Sequence, residues 1–185
     1  MPKEIGILFN GQDLCHAEDA DFASEAISAL GLLNETSCSS LVAMLSEARV
    51  LGPEQVALEF RKQGTQISKE RKKSLGIRRN SNFSEEAYSQ LTVNGLKEPL
   101  RAHAATLTRA MFALLKAETV QLALANGFNE LRISPSHFSD CRRCSVRGEE
   151  ILQISKIGQL PPLDCTRFAC SAWWQPYRDW LAEAK

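Results

Sequence analysis

The segment between Pro99 and Gly127 constrains the fold most, because it carries the longest helical pattern in the chain. Proline is tolerated in the first turn of a helix and glycine often follows the last turn, so these two residues bracket one helix. A helix of about 28 residues is about 40 Å long. The pattern places His103, Arg109 and Glu118 on or near its polar side. The opposite side is a wide apolar stripe, which predicts burial against other helices: Leu100, Ala104, Leu107, Met111, Leu114, Leu115, Val120, Leu122 and Leu124.

The residues before this helix predict further, shorter helices. Apolar residues recur at three- and four-residue steps from Asp21 to about Arg49, with an interruption at 34–37, which indicates two helices. A third helix is expected from Glu54 to Lys62. Ser84 is placed to cap a fourth short helix, because serine accepts a hydrogen bond from the first turn.

The pattern changes after Gly127. Residues 129–134 alternate polar and apolar side chains, and 148–154 are expected to pair with them in a hairpin. The predicted fold is α+β, a helical bundle over 1–127 followed by a small β-hairpin module over 128–185. A chain of 185 residues is long enough for this combination.

The C-terminal module contains four cysteines, which is the number and type of ligands found in many metal sites. Cys141 and Cys144 form a Cys-x-x-Cys turn, and Cys165 and Cys170 follow as a wider second pair. Four thiolates arranged tetrahedrally bind zinc in a closed site without an open position for a substrate. The sequence therefore predicts one structural zinc ion, with His137 able to replace one ligand, most plausibly Cys170.

Three other interpretations of these cysteines stay open. They could form a redox-active pair, ligate an iron-sulfur cluster, or be unligated buried thiols. Cys15 and Cys38 stand apart and are expected to be inert buried side chains.

The chain is expected to be cytoplasmic. The apolar run near the N-terminus is too short for a signal peptide, and the long helix carries too many charges to span a bilayer. Thiols stay reduced in the cytoplasm, which favours metal binding over disulfides.

A local basic stretch lies at residues 61–79, although the formal net charge is zero and excludes a globally basic nucleic-acid binder. The stretch has eight basic residues and one acid. It could belong to a helix-turn-helix that contacts DNA, or be a solvated loop. The candidate DNA contacts are Lys69, Arg71, Lys72, Lys73, Arg78 and Arg79.

The C-terminal tail is rich in tryptophan. Trp173 and Trp174 point in opposite directions if this segment is extended, and Trp180 lies near the end of the chain. Packing into the core is the default for such residues, but aromatic side chains are also common in interfaces. All three are candidate contacts to a partner protein.

The order of motifs over residues 98–176 resembles the C-terminal module of phage head-morphogenesis proteins of the Mu minor-head type. Lys116-Ala117-Glu118-Thr119 lies late in the long helix, followed by Asn126-Gly127, a strand, Asp140-Cys141-x-x-Cys144, Gly148, Leu160-Pro161-Pro162 and the last two cysteines. Alanine replaces the arginine of the family's helix motif, and Leu163-Asp164 replaces the histidine that follows its prolines. The resemblance implies a protein that contacts the portal and DNA during packaging, or a prophage-derived relative.

Three functions follow from these observations. The first is a non-enzymatic, zinc-stabilised interaction protein of phage or prophage origin. The second is a DNA-binding protein that uses the basic stretch. The third is an enzyme of unrecognised class, for which the sequence offers no phosphate-binding loop, nucleophile elbow or zinc-protease motif.

Overall fold

The computed structural model describes the backbone of residues 8–9 and 12–13, and residues 18–134, 150–157, 165 and 172–178. Within these ranges the chain is mainly helical with a small antiparallel sheet, which confirms the predicted α+β class. Its residues form two compact units. One contains 18–111 together with 164–169, and the other contains 1–17, 112–163 and 170–185.

Six α-helices follow one another along the described chain. They are α1 (Asp19–Leu30), α2 (Cys38–Leu51), α3 (Pro53–Lys62), α4 (Lys69–Ser74), α5 (Glu85–Ser89) and α6 (Pro99–Ala125). Short 3₁₀ turns at Glu35–Ser37 and Gly95–Lys97 precede α2 and α6. The two helices expected between 21 and 49, the third helix and the long helix are all confirmed within a few residues.

Local signals in the sequence explain several of these boundaries. Gly52 has a φ of 82° and Pro53 begins α3, so the pair both ends α2 and starts the next helix. The Ser84 hydroxyl accepts a hydrogen bond from the backbone N–H of Ala87 at 3.2 Å and caps α5, as predicted.

The first half of α6 includes a stretch that is buried on every side. All nine residues from 102 to 110 are buried, which is two and a half turns of helix. The apolar side chains packed in this unit include Phe22, Ile27, Leu41, Leu45, Val56, Phe83 and Leu107. The helix is therefore central rather than one-sided.

This central position corrects the predicted faces of α6. His103 and Arg109, expected on or near the polar side, are both 0% exposed. Leu122, expected on the buried stripe, is 63% exposed, and Leu100 is 39% exposed. The predicted stripe is confirmed at Ala104, Leu107, Leu114 and Val120, which are buried, and is wrong at Leu100 and Leu122.

The second unit contains two small β structures. The short strands β1 (Leu8–Phe9) and β2 (Gln12–Asp13) pair antiparallel. A three-stranded antiparallel sheet has the order β4-β3-β5, with β3 (Glu130–Ser134) between β4 (Ile151–Gln153) and β5 (Trp173–Tyr177).

The sheet contains the predicted hairpin and one strand more. Glu130 pairs with Gln153, as expected for the hairpin. Ile133 pairs with Trp174 on the other edge of β3. The prediction of a two-stranded module was therefore wrong by one strand, because β5 lies about 40 residues beyond its partner in sequence.

Candidate functional site

Cys165 is the one candidate zinc ligand that lies within the described residues. Its thiol is free and half-buried. Its backbone carbonyl accepts a hydrogen bond from Nη1 of Arg109. The other three cysteines of the predicted set and His137 lie outside the described residues: Cys141, Cys144 and Cys170.

The arginine that holds Cys165 belongs to a buried ion pair. Arg109 Nη2 lies 2.5 Å from Oε1 of Glu25, and Arg109 Nε lies 3.2 Å from Oε2. Glu25 is 3% exposed. Two parallel N–H···O bonds fix the plane of the guanidinium group, so the third bond from Nη1 to Cys165 has a defined direction.

A buried ion pair fixes the positions of the groups that it joins, but it adds little net stability to the folded protein. Burying two charges costs several kcal/mol per ion in solvation, which their attraction only about offsets. Removing one partner leaves the other charge buried and unpaired, at a cost of about 3–5 kcal/mol. The Glu25–Arg109 pair therefore strongly constrains where α1, the first half of α6 and the backbone at Cys165 lie within the first unit.

A free, half-buried thiol on a fixed backbone fits the role of a zinc ligand. In the described part of the chain, no group of three or more His, Cys, Asp or Glu side chains is placed to hold a metal ion. The four-cysteine site stays a prediction from the sequence. Cys38, expected to be buried, is half-buried, and its Sγ lies 3.8 Å from the carbonyl oxygen of Ala20.

The basic stretch forms most of a closed loop at residues 66–84, here called the basic loop. An isolated antiparallel bridge joins Gln66 to Ser84 at its base. Ile67 N–H donates to the carbonyl of Phe83 at 3.0 Å. The Gln66 amide also donates to the last carbonyls of α3 and accepts from Phe83 N–H at 2.6 Å.

The candidate DNA contacts differ in how they are placed on this loop. Lys72 is only 7% exposed. Arg71 pairs with Glu85 at 3.0 Å and stacks over the ring of Tyr88 at 4.8 Å. The remaining four side chains are exposed: Lys69, Lys73, Arg78 and Arg79. Helices α4 and α5 have six and five residues, so the predicted helix-turn-helix interpretation rests on two very short helices.

The two described tryptophans, Trp173 and Trp174, contact other residues of their own unit. Trp174 is 3% exposed and packs in the sheet. Trp173 is half-buried, and Nζ of Lys116 lies 5.9 Å from its ring centre. Lys116 itself is 1% exposed. Trp180 lies outside the described residues. Of the three tryptophans predicted to contact a partner, Trp173 is therefore the one that the structure shows to be partly accessible.

A second buried polar cluster surrounds His103. Its Nε2 lies 3.1 Å from Oε1 of Gln90, whose amide nitrogen donates to the Ser40 hydroxyl at 3.0 Å. Because Nε2 faces an acceptor, it carries the ring hydrogen, and Nδ1 has no hydrogen-bond partner among the described residues. Burial lowers the pKa of His103 to about 4, with a further contribution from the charge of Arg61. The imidazole is therefore neutral in the folded protein near neutral pH.

Arg61 shows the same effect of burial on a basic side chain. It is 8% exposed, and its Nη1 donates to the carbonyl of Leu100 at 2.6 Å. Burial lowers the pKa of its guanidinium group, and nearby Glu54 partly opposes this. Arg61 was counted among the basic residues of the 61–79 stretch, but its position inside the unit makes it unsuitable for contact with phosphate.

These buried clusters could hardly be predicted from the sequence. Glu25 was not singled out, because one glutamate in an amphipathic helix is usually solvated. The usable signal was the run of alanines at 102, 104, 105 and 110, since small residues allow neighbouring helices to approach α6 from several sides.

Comparison with protein-family models, curated proteins and solved structures found no match. Among the described residues, no helix is long and apolar enough to cross a membrane.

Proposed function

We propose that the chain is a non-enzymatic interaction protein stabilised by one structural zinc ion, with Cys141, Cys144, Cys165 and Cys170 as ligands. The observation that carries the proposal is the hydrogen bond from buried Arg109 to the backbone of Cys165. Zinc ligands need a supporting group that fixes their orientation. Arg109, held by two hydrogen bonds to Glu25, supplies such support to the backbone of Cys165.

The proposed role is structural because four thiolates saturate the metal. A zinc ion with four protein ligands has no position for water or substrate, and such sites contribute directly to folding. The likeness of residues 98–176 to phage minor-head proteins adds the prediction that the partner belongs to a phage or prophage assembly.

The test compares two cysteines that are alike except in their proposed role. Cys165 and Cys38 are both free and half-buried, but only Cys165 belongs to the ligand set. We expect about one zinc per chain in the wild type, purified without added metal, from a four-ligand site. Cys165→Ser is expected to lose zinc, and Cys38→Ser to keep it. Elemental analysis measures the metal, and thermal unfolding with and without chelator measures its contribution.

Each other outcome has a definite meaning. Iron together with acid-labile sulfide in place of zinc would identify an iron-sulfur cluster, and no metal in the wild type would refute the zinc proposal. Equal zinc in both variants would remove Cys165 from the ligand set.

A second candidate function, nucleic-acid binding, is favoured by the geometry of the basic loop. Its base is closed by backbone hydrogen bonds, and four exposed cations project from it without an ion pair to any described residue. A preformed group of cations binds phosphates with less loss of conformational entropy than a flexible tail.

The exposure of the basic side chains also shows which of them to substitute in a test of nucleic-acid binding. Substituting Lys72 or Arg71 would perturb packing, so the informative variant replaces Lys69, Lys73, Arg78 and Arg79 with alanine. Four phosphate contacts predict a slope of about −3 to −4 for log affinity against log salt on duplex DNA. The control replaces exposed Lys62 and Lys97, which lie outside the loop, so the two variants are compared by the loss for each charge removed.

The nucleic-acid candidate is supported only if the four-residue variant loses affinity and salt slope while the control keeps both. Equal loss for each charge removed, four in the loop variant and two in the control, would indicate general charge attraction. No binding by the wild type at low salt would exclude this role for the loop.

A further inference from the structure

A groove of about 210 Å³ opens between α2 and α3 within the first unit. Its apolar lining includes Met44 from α2 and Val56 and Phe60 from α3. Its polar lining includes Glu47 from α2 and Glu86 from α5. The groove therefore combines an apolar floor with acidic side chains.

Two exposed apolar side chains lie beyond the groove, in the last turn of α2. Val50 and Leu51 are 85% and 58% exposed. Residues seven apart lie on the same face of a helix, since seven residues make about two turns. Val50 therefore shares a face with Ala43, and Leu51 shares a face with Met44. Exposed apolar side chains that extend a groove are typical of protein interaction sites.

The volume of the groove and the charge of its lining indicate what kind of molecule it can bind. Drug-sized ligands occupy pockets of about 300–1,000 Å³, so this smaller groove suits one or two side chains of a peptide. Glu47 and Glu86 are both exposed, and among the described residues that line the groove there is no lysine or arginine. An occupant with an apolar side chain beside a positive charge would satisfy both features.

We propose that the α2–α3 groove binds a peptide segment of a partner protein that carries a large apolar side chain next to lysine or arginine. This inference rests on the proposed interaction role and names the surface and the partner chemistry. The groove uses residues 40–86, whereas zinc binding is measured at the cysteines. Failure of one experiment can therefore be distinguished from failure of the other.

The test uses a displayed library of random peptides, selected on the full-length protein and counter-selected on the Ala43→Arg variant. Ala43 lines the groove and is exposed, so arginine there blocks the groove and offsets part of its negative charge without disturbing the core. The matched control is Ser28→Arg, which adds the same side chain at an exposed position of α1 outside the lining.

We expect selected peptides to pair an apolar residue with lysine or arginine. Their affinity should fall at least about tenfold in Ala43→Arg, as for a blocked hot spot, and stay unchanged in Ser28→Arg. The double variant Glu47→Lys with Glu86→Lys should weaken the same peptides. Methyl NMR locates the site, because the Met44 methyl should shift on binding while the Met111 methyl stays in place.

Several results would overturn the proposal. A selection that yields no peptide preferring wild type over Ala43→Arg would refute it, as would enrichment of acidic peptides. Binding that leaves the Met44 methyl unmoved would place the peptide elsewhere. Self-association of the wild type that Ala43→Arg abolishes would identify a second copy of this chain as the occupant instead.

Discussion

The protonation of His103 makes the stability of the protein depend on pH in a predictable direction. Its pKa is about 4 in the folded protein and 6.5 in an unfolded chain, because burial and the charge of Arg61 disfavour the imidazolium. Between these values the unfolded chain binds a proton that the folded protein does not bind. Stability from this group is therefore present at neutral pH and is lost as the pH falls from about 6.5 to about 4.

The size of the effect follows from the same two values. At roughly 1.4 kcal/mol for each pH unit between them, the loss amounts to about 3 kcal/mol. Below about pH 4 both states are protonated at this residue and the loss stops growing. A change of this size is a large fraction of the stability of a typical domain, which is about 5–15 kcal/mol.

The assay compares wild type with His103→Gln by urea unfolding from about pH 7 to about pH 4.5. Glutamine keeps an N–H donor near Oε1 of Gln90 but does not titrate. Carboxylates and the other two histidines are common to both proteins, so the difference between them isolates His103. We expect the wild type to lose about 2–3 kcal/mol relative to the variant. A difference that stays constant with pH, or an NMR titration of His103 near 6.5, would refute the reasoning.

Three further predictions concern packing and caps. A Cβ on Gly95 would lie 2.1 Å from the carbonyl oxygen of Leu32, so Gly95→Ala should cost at least about 2 kcal/mol in urea unfolding; a neutral variant would contradict the close approach. Ser84→Ala removes the cap of α5 and should cost about 1 kcal/mol, whereas an unchanged Tm would show the cap to be dispensable. Trp174→Ala should cost about 3–5 kcal/mol and clearly more than Trp173→Ala, because Trp174 is buried and Trp173 is half-exposed; the reverse order in thermal unfolding would contradict the register of β5.

Features set by neighbouring residues could be predicted from the sequence. The Gly52-Pro53 boundary, the Ser84 cap and the limits of α6 depend on backbone preferences within a few residues. The hairpin of β3 and β4 was also visible as an alternation of side chains. Each of these elements is found close to its predicted position.

Features set by distant contacts could not be predicted in this way. The third strand pairs Ile133 with Trp174, and nothing near either residue indicates the other. The burial of His103 and Arg109 depends on helices arriving from several sides, which an apolar stripe on one helix cannot reveal. Polar residues in such a helix have the same local pattern whether they face solvent or a buried partner.

The Glu25–Arg109 pair is best understood as a device that fixes position rather than one that adds stability. Aliphatic contacts around α6 tolerate repacking, but a buried charge tolerates only its partner. Arg109→Met alone should therefore cost about 3–5 kcal/mol, whereas Glu25→Leu with Arg109→Met should recover most of this loss. The double variant still lacks the hydrogen bond to the Cys165 carbonyl, so it should bind zinc more weakly than wild type in competition with a chelator, by about tenfold or more. If the double variant folds stably and holds zinc as tightly as wild type, the arginine does not position Cys165 for the metal.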